Sequence, residues 1–315
     1  MATGLGVTPR SPRSGGGSGD LHSLRPGLRE LRAEDAGAVA ALFRDAFGEA
    51  RPLDAAEIRT WLANEELRAE WLRVLDHDGR VVGYGDIFVQ GDEIALDVAA
   101  PGHWDAFFDW AEEEGRRAGV QRARAYFPAG HQLAEIAEAR GYRLWRSSYT
   151  MEIALEEQPP PPAVPQLGIE VRSYREHADE AAVRAAVNDV FSADPFFHDV
   201  SPSGFREFYL GARGYDPSLW LLAWDEGDLA GFSLAYPERV GDEGLGWVGT
   251  LGVGARWRRR GLGEGLLRES FRALHARGLR RVGLGVDAEN PGALKLYERV
   301  GMHVVRQGDN WVLEL

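Results

Sequence analysis

Cysteine is absent from the 315 residues, and that absence removes disulfides, thiolate metal sites and any mechanism through a cysteine nucleophile or an acyl-cysteine intermediate. Positive charge is scarce as well: 36 Lys and Arg stand against 49 Asp and Glu, a formal net charge of -13. General nucleic-acid or anionic-membrane binders concentrate cations to neutralise phosphates, so neither partner is expected and any anion site must be a local basic island. The eight histidines show no HxxxH or similar ligand spacing, and no metal is expected. No run of about 18 uninterrupted apolar residues occurs, which argues against a membrane-spanning helix. Residues 1–24 carry Arg, Ser, Gly and Pro without a continuous apolar stretch and read as a disordered tail, not a secretory signal. A cytoplasmic protein, monomer or homodimer, is the expectation.

What is present fits two domains of ordinary size, each able to bury its own core. The clearest boundary is EEQPPPPAVPQLG, residues 156–168, whose prolines favour an extended, semi-rigid linker. It separates residues 25–155 from residues 169–315, and the two halves resemble each other. LRELRAEDAGAVAALFRDAFG from Leu28 matches IEVRSYREHADEAAVRAAVNDVFS from Ile169, each reading as a strand and then an amphipathic helix. DHDGRVVGYGDIFV from Asp76 pairs with WDEGDLAGFSLAYP from Trp224, two strands around a Gly turn. ARGYRLWRSSYTMEIAL from Ala139 pairs with RVGMHVVRQGDNWVLEL from Arg299, a helix stop at Gly followed by strands. A duplicated α/β unit explains the chain better than one large domain.

The copies diverge in their middles. From Pro101 the first runs through the acidic, aromatic PGHWDAFFDWAEEEGRRAG, whereas from Gly254 the second runs through the basic, glycine-rich GARWRRRGLGEGLLRESFRALHARG. In the latter, Leu262, Leu266, Leu267, Phe271 and Leu274 recur at helical spacing. The turn from Arg258 through Arg259, Arg260, Gly261 and Leu262 to Gly263 therefore sits at a helix N-terminus. Unpaired N–H groups and the positive end of the helix dipole point outward there, and glycine admits close approach of a phosphate. Arg256, Arg258, Arg259 and Arg260 supply the basic island. Taken alone, the same turn also fits a solvated basic loop.

Three segments in register carry a family resemblance. RRRGLG resembles the R/Q-x-x-G-x-G/A pyrophosphate loop of the GCN5-related N-acetyltransferases (GNAT), the strand Leu251-Gly252-Val253 precedes it as in that family, and VGLGVDAENPGALKLYERVGM, from Val282, resembles the family's next strand and helix. The resemblance covers residues 169–315. It implies two tandem acyl-CoA N-acyltransferase folds of the α/β (α+β) class, each a mixed, mostly antiparallel twisted sheet flanked by helices. It implies an N-acetyltransferase that passes an acetyl group from acetyl-CoA to an amine of a small molecule, or of a protein, by direct attack in a ternary complex.

Residue by residue, the resemblance implies that the backbone of Leu251, Gly252 and Val253 holds the pantetheine arm. The turn Arg258, Arg259, Arg260, Gly261, Leu262, Gly263 and Glu264 would cradle the pyrophosphate. Asn290 would bind pantetheine through its amide, and Tyr297 would protonate the departing thiolate as catalytic acid. Read without the family, Asn290-Pro291 is a helix start and Tyr297 an aromatic on an amphipathic helix.

The pattern departs from the family at the general base: many members carry Glu four residues before the position of Leu251, and here that residue is Trp247. An indole cannot take a proton, so the base is elsewhere, is a water, or is unnecessary for an amine that arrives already neutral. Glu238, Asp242, Glu243, Asp194, His198 and Asp199 are candidates, each equally readable as a solvated loop group. Phe196, Phe197, Phe205, Phe208, Tyr209 and Trp220, with Trp247, either wall an acceptor pocket or form core.

The first copy lacks both the RxxGxG loop and the Asn…Tyr helix. It is expected not to bind acetyl-CoA and to pack against the second domain or shape the acceptor cleft, an arrangement resembling the tandem, mycothiol synthase-like members of the family. Acceptor identity and acyl-chain preference are not legible. A different acyl-CoA donor, or an idle CoA-binding scaffold, remain the alternatives.

Overall fold

The computed structural model describes residues 27–51, 53–63, 69–156, 168–194, 197, 199–239, 242 and 244–315. The N-terminal tail, most of the linker, Phe196, His198 and Glu243 lie outside the described residues. The described chain divides into two compact units. One runs to Ser148 and takes in Arg306–Leu315; the other is Tyr149–Val305.

The first unit is built from β1 (Leu28–Glu30), α1 (Ala36–Phe47), α2 (Ala55–Ala63), β2 (Leu72–His77), β3 (Arg80–Gln90), β4 (Glu93–Ala99), α3 (Trp104–Ala118), β5 (Arg122–Pro128), α4 (Leu133–Ala139) and the start of β6 (Arg143–Ala154). The second unit takes the end of β6, then β7 (Ile169–Ser173), α5 (Glu180–Phe191), α6 (Pro202–Phe205), β8 (Trp220–Asp225), β9 (Asp228–Tyr236), β10 (Leu245–Val253), α7 (Leu262–Ala276), β11 (Arg281–Asp287), α8 (Pro291–Arg299) and the start of β12 (His303–Glu314).

Each unit holds a mixed, mostly antiparallel sheet. In the first, β1, β2, β3 and β4 are antiparallel neighbours, β4 and β5 are parallel, and the end of β12 lies antiparallel to β5. In the second, β7, β8, β9 and β10 are antiparallel, β10 and β11 are parallel, and β6 follows β11.

The repeat read from the sequence recurs in the local chemistry of each unit. Arg29 of β1 forks onto Asp35 at 2.7 and 2.9 Å, and Arg172 of β7 forks onto Asp179 at 2.7 and 2.8 Å. In both, the same aspartate also accepts a backbone N–H at the start of the helical segment, from Arg32 and from Arg175. The β2–β3 turn puts Asp78 and Gly79 at φ 52° and 80°, and the β8–β9 turn puts Glu226 and Gly227 at 50° and 98°. Two successive positive φ values make the tight hairpin whose twist matches its strands.

Asp179 is held below the usual carboxylate range, first by its hydrogen bond from Arg172. Its folded pKa being depressed, its stabilising contribution is present above the unfolded value of about 3.9 and is lost as pH falls toward the folded value. Asp179→Asn is expected to destabilise the second unit by about 2 kcal/mol at pH 7, the size of a charge-assisted hydrogen bond. The gap to the unsubstituted chain should narrow below about pH 4, as urea unfolding at pH 7 and pH 3 would measure.

The packing units exchange their ends relative to the linker. Trp311, near the chain's end, belongs to the first unit's core and stacks on Phe127 with centroids 5.8 Å apart. Met151 and Leu155, before the linker, belong to the second unit's core beside Leu267, Val282 and Tyr297. A Cβ at Gly115 of α3 would meet Leu315 at 2.4 Å, so the closing residues of the chain are fitted into the first unit.

Candidate functional site

In the second unit the parallel pairing of β10 with β11 runs from Leu245 opposite Arg281 to Trp247 opposite Gly283 and stops there. β10 continues to Val253 and β11 to Asp287. Past Trp247, therefore, the β11-facing backbone groups of β10 have no strand partner in β11, and an extended ligand can take that place by strand addition. The opening coincides with a register shift between Val248 and Thr250. Gly249 occupies the shift, and a Cβ there would meet Tyr236 at 2.8 Å. A bulge beside a functional site re-aims the groups that follow it, here Leu251, Gly252 and Val253.

The turn between β10 and α7 is anchored from below. Gly254 donates its N–H to the Ala230 carbonyl, and Trp257 donates its indole N–H to Asp225 at 2.6 Å. A Cβ at Gly254 would meet the Trp257 ring at 2.8 Å, so glycine there is what lets the indole lie under the loop. Arg258 folds back to give its Nε to the Val253 carbonyl at 3.0 Å, and Arg256 lies 4.3 Å from the Trp257 ring centroid while reaching Asp228. Arg259 and Arg260 are exposed. Arg259 has φ 59° and Gly261 φ 83°. Left-handed residues in a turn gather successive N–H groups into an anion-binding concavity, and Arg259 does so without glycine's conformational freedom.

Gly261 is the N-cap of α7 and no side chain caps the helix, so the amides of Leu262, Gly263 and Glu264 keep the outward donors of any helix start. Glu264 turns its carboxylate to Arg268 and Arg299, at 3.0 and 3.4 Å. A Cβ at Gly263 would find Leu296 at 3.4 Å and Val253 at 3.5 Å. That is ordinary packing distance, so the protein's own packing does not require glycine here; the missing side chain keeps the helix start open. The same contacts bring the end of β10, the start of α7 and α8 together.

Asn290 is the N-cap of α8, its Oδ1 accepting the Ala293 N–H at 3.0 Å. The structural reading of Asn-Pro is thus realised, with the amide N–H donors a separate resource. Tyr297 is 8% exposed and shares an apolar cluster with Val248 and Leu251 of β10 and Val286 of β11. Burial alone pushes its hydroxyl up to about 12. A phenol held there stays a neutral donor throughout the physiological range.

The base position stays with Trp247, which carries the Arg239 guanidinium 4.6 Å from its ring centroid. Of the loop carboxylates named from sequence, Glu238 pairs with Arg213 at 2.7 Å, Asp242 pairs with Arg281 at 2.9 Å, and Asp199 is exposed. The aromatic group resolves largely into core: Phe205 and Trp220 are fully buried, with Tyr174, Tyr209, Tyr215 and Tyr236 around the Trp220 ring. Tyr209 is buried with them, its carbonyl accepting from the Tyr236 hydroxyl at 3.4 Å.

Residues 185–302 match the model of the Acetyltransferase (GNAT) family. A curated relative, the mycothiol acetyltransferase of Beutenbergia cavernae, is 31% identical over 266 residues, covering 77% of this chain and 83% of that protein. The chain belongs to the GNAT family. The mycothiol acetyltransferase of Streptomyces scabiei is 31% identical over 183 residues, 58% of each chain, so the match spans little more than half the length of that relative. Among solved structures, a GCN5-related N-acetyltransferase from Sphaerobacter thermophilus superposes with a TM-score of 0.75 at 28% identity, over 93% of this chain and 97% of its own. A tandem GNAT protein from the clavulanic acid biosynthesis pathway shares the fold, with a TM-score of 0.67 at 20% identity over 91% and 98% of the two chains.

Within this GNAT chain the described residues of the first unit include no counterpart of the RRRGLG turn. Its α3 begins with Trp104 and Asp105, where α7 begins with Leu262 and Gly263.

Proposed function

We propose that the second unit transfers an acetyl group from acetyl-CoA to a primary amine of a small molecule, by direct attack in a ternary complex. The observation that carries this reading is the opened β10–β11 pair lying beside the uncapped start of α7. One feature suits an extended pantetheine arm and the other its pyrophosphate.

The amides from Arg259 to Glu264 hold the pyrophosphate, with Arg259 and Arg260 adding charge from the exposed side. The β10 backbone at Leu251, Gly252 and Val253 pairs with pantetheine, and the Asn290 amide N–H groups donate to it. The amine lone pair attacks the thioester carbonyl, and β10 amides near Leu251 stabilise the oxyanion. Collapse breaks the C–S bond, and Tyr297 gives its proton to the departing sulfur. The bound geometry supplies proximity and no covalent enzyme intermediate forms. The first unit binds no acetyl-CoA.

Trp247 at the base position favours one rival reading, a CoA-binding protein without turnover. Release of free thiol from acetyl-CoA over a panel of amines separates the two. Acetyl transfer predicts release that depends on one class of amine; binding of acetyl-CoA with no release on any amine would favour the rival.

A further inference from the structure

The reaction needs a group to receive the amine's proton, and the usual strand position holds an indole. On the face of β10 that carries Trp247, the neighbouring β11 residue is Gly283. A Cβ on Gly283 would stand 3.0 Å from the Trp247 ring and 3.3 Å from Cγ of Glu152. Two side chains thus converge over a residue that has none, one from β10 and the other from β6. Alternation along β6 explains why: Met151 and Leu155 enter the core shared with Tyr297, and Glu152 points to the opposite face. Its side chain is 12% exposed and accepts from Arg281 at 3.1 Å, and Arg281 also reaches Asp242. Among the described residues the charged groups near it include Arg281 on β11, Asp242 on the same arginine, and Arg239 over the Trp247 ring.

We propose that Glu152 is the carboxylate that receives the acceptor amine and takes its proton, replacing the strand glutamate that Trp247 displaces. The inference rests on the acetyl-transfer reading above. The ammonium of the incoming amine is drawn to Glu152 and to the face of the Trp247 ring. It gives one proton to Glu152, directly or through one water, and the lone pair so freed attacks the thioester carbon. The C–S bond then breaks with protonation of sulfur by Tyr297, while the second nitrogen proton passes to solvent and Tyr297 is reprotonated from it, so two protons leave nitrogen, one arrives at sulfur and one is released. Arg281 holds Glu152 in place, and Gly283, having no side chain, lets Glu152 and the Trp247 ring come together.

The test uses the full chain, acetyl-CoA and the best acceptor from a panel of glucosamine, spermidine, phenethylamine and a peptide N-terminus. Glu152→Gln is expected to lower kcat on the order of a hundredfold, leaving acetyl-CoA affinity by calorimetry within about twofold. That calorimetric result also establishes that the variant is folded. Glu152→Asp should recover part of the loss. Arg281→Gln, which removes one partner but keeps the carboxylate, should cost clearly less kcat than Glu152→Gln. Glu152→Gln with unchanged kcat overturns the proposal. So does an equal loss in Glu152→Gln and Arg281→Gln with no recovery in Glu152→Asp, which would make Glu152 a structural partner of Arg281. If the unsubstituted chain releases no thiol with any amine, the acetyl-transfer reading itself falls, a pattern distinct from both.

Discussion

Replacing Tyr297 with phenylalanine is expected to reduce kcat on the order of a hundredfold or more and to leave acetyl-CoA affinity within about twofold. The ring is buried in an apolar cluster with Val248, Leu251 and Val286, and phenylalanine fills the same volume, so the fold should be little affected. What disappears is the hydroxyl proposed to protonate the departing sulfur. Because burial holds the hydroxyl up to about 12, the donor remains protonated across the range in which enzyme assays are run. Activity of the unsubstituted chain should therefore show no alkaline fall attributable to this residue below about pH 11. Steady-state kinetics over pH, on both forms, checks the two statements together. Equal kcat in the phenylalanine variant would remove Tyr297 from the mechanism.

Substitution of the two loop glycines is expected to act on coenzyme binding by separable routes. Gly261 sits at φ 83°, where a side chain costs about 1–2 kcal/mol of backbone strain, so Gly261→Val should weaken binding and stability together. Gly263 is different: its Cβ position lies 3.4 Å from Leu296 and 3.5 Å from Val253, leaving room in the protein itself. Gly263→Val should change unfolding free energy by less than about 1 kcal/mol and still lower acetyl-CoA affinity on the order of a hundredfold, about 2.7 kcal/mol. The branched side chain would fill the space in which a phosphate approaches the amides of α7. Urea unfolding and calorimetry on the same preparation separate the two effects. A large stability loss at Gly263 with unaltered affinity would mean that this glycine serves packing.

The local structure of the proposed site was legible in the sequence wherever its parts are contiguous. The helix stripe from Leu262 to Leu274, the glycines before it and the Asn-Pro start of α8 are local patterns, and each lands where its periodicity or capping chemistry puts it. The duplication was legible for the same reason: the Arg–Asp clamps and the Asp78-Gly79 and Glu226-Gly227 turns are short-range features. Partnerships between distant strands were not. Nothing in MEIAL announces that Glu152 lies beside Gly283 of β11, because register across such a separation is set by pairing partners and not by local composition. The exchange of chain ends was hidden likewise: Trp311 and Met151 each look like core residues, and the sequence does not say of which core.

Trp257 and Gly254 illustrate a second gap. Both stood in plain view inside a motif read for its charge, yet their work is steric: the indole props the loop and Gly254 makes space for it. The aromatic residues near Phe205 show the converse. Composition left pocket wall and core equally open, and Trp220, enclosed by other rings, cannot face an acceptor.

The account depends on a single grip, that of the main-chain amides at the head of α7 on the coenzyme's diphosphate. Titration calorimetry of the full chain with acetyl-CoA tests it most directly. The prediction is one molecule bound per chain, in the second unit, with the heat strongly reduced by Gly263→Val. No heat of binding, two molecules per chain, or undiminished binding after Gly261→Val and Gly263→Val would contradict it.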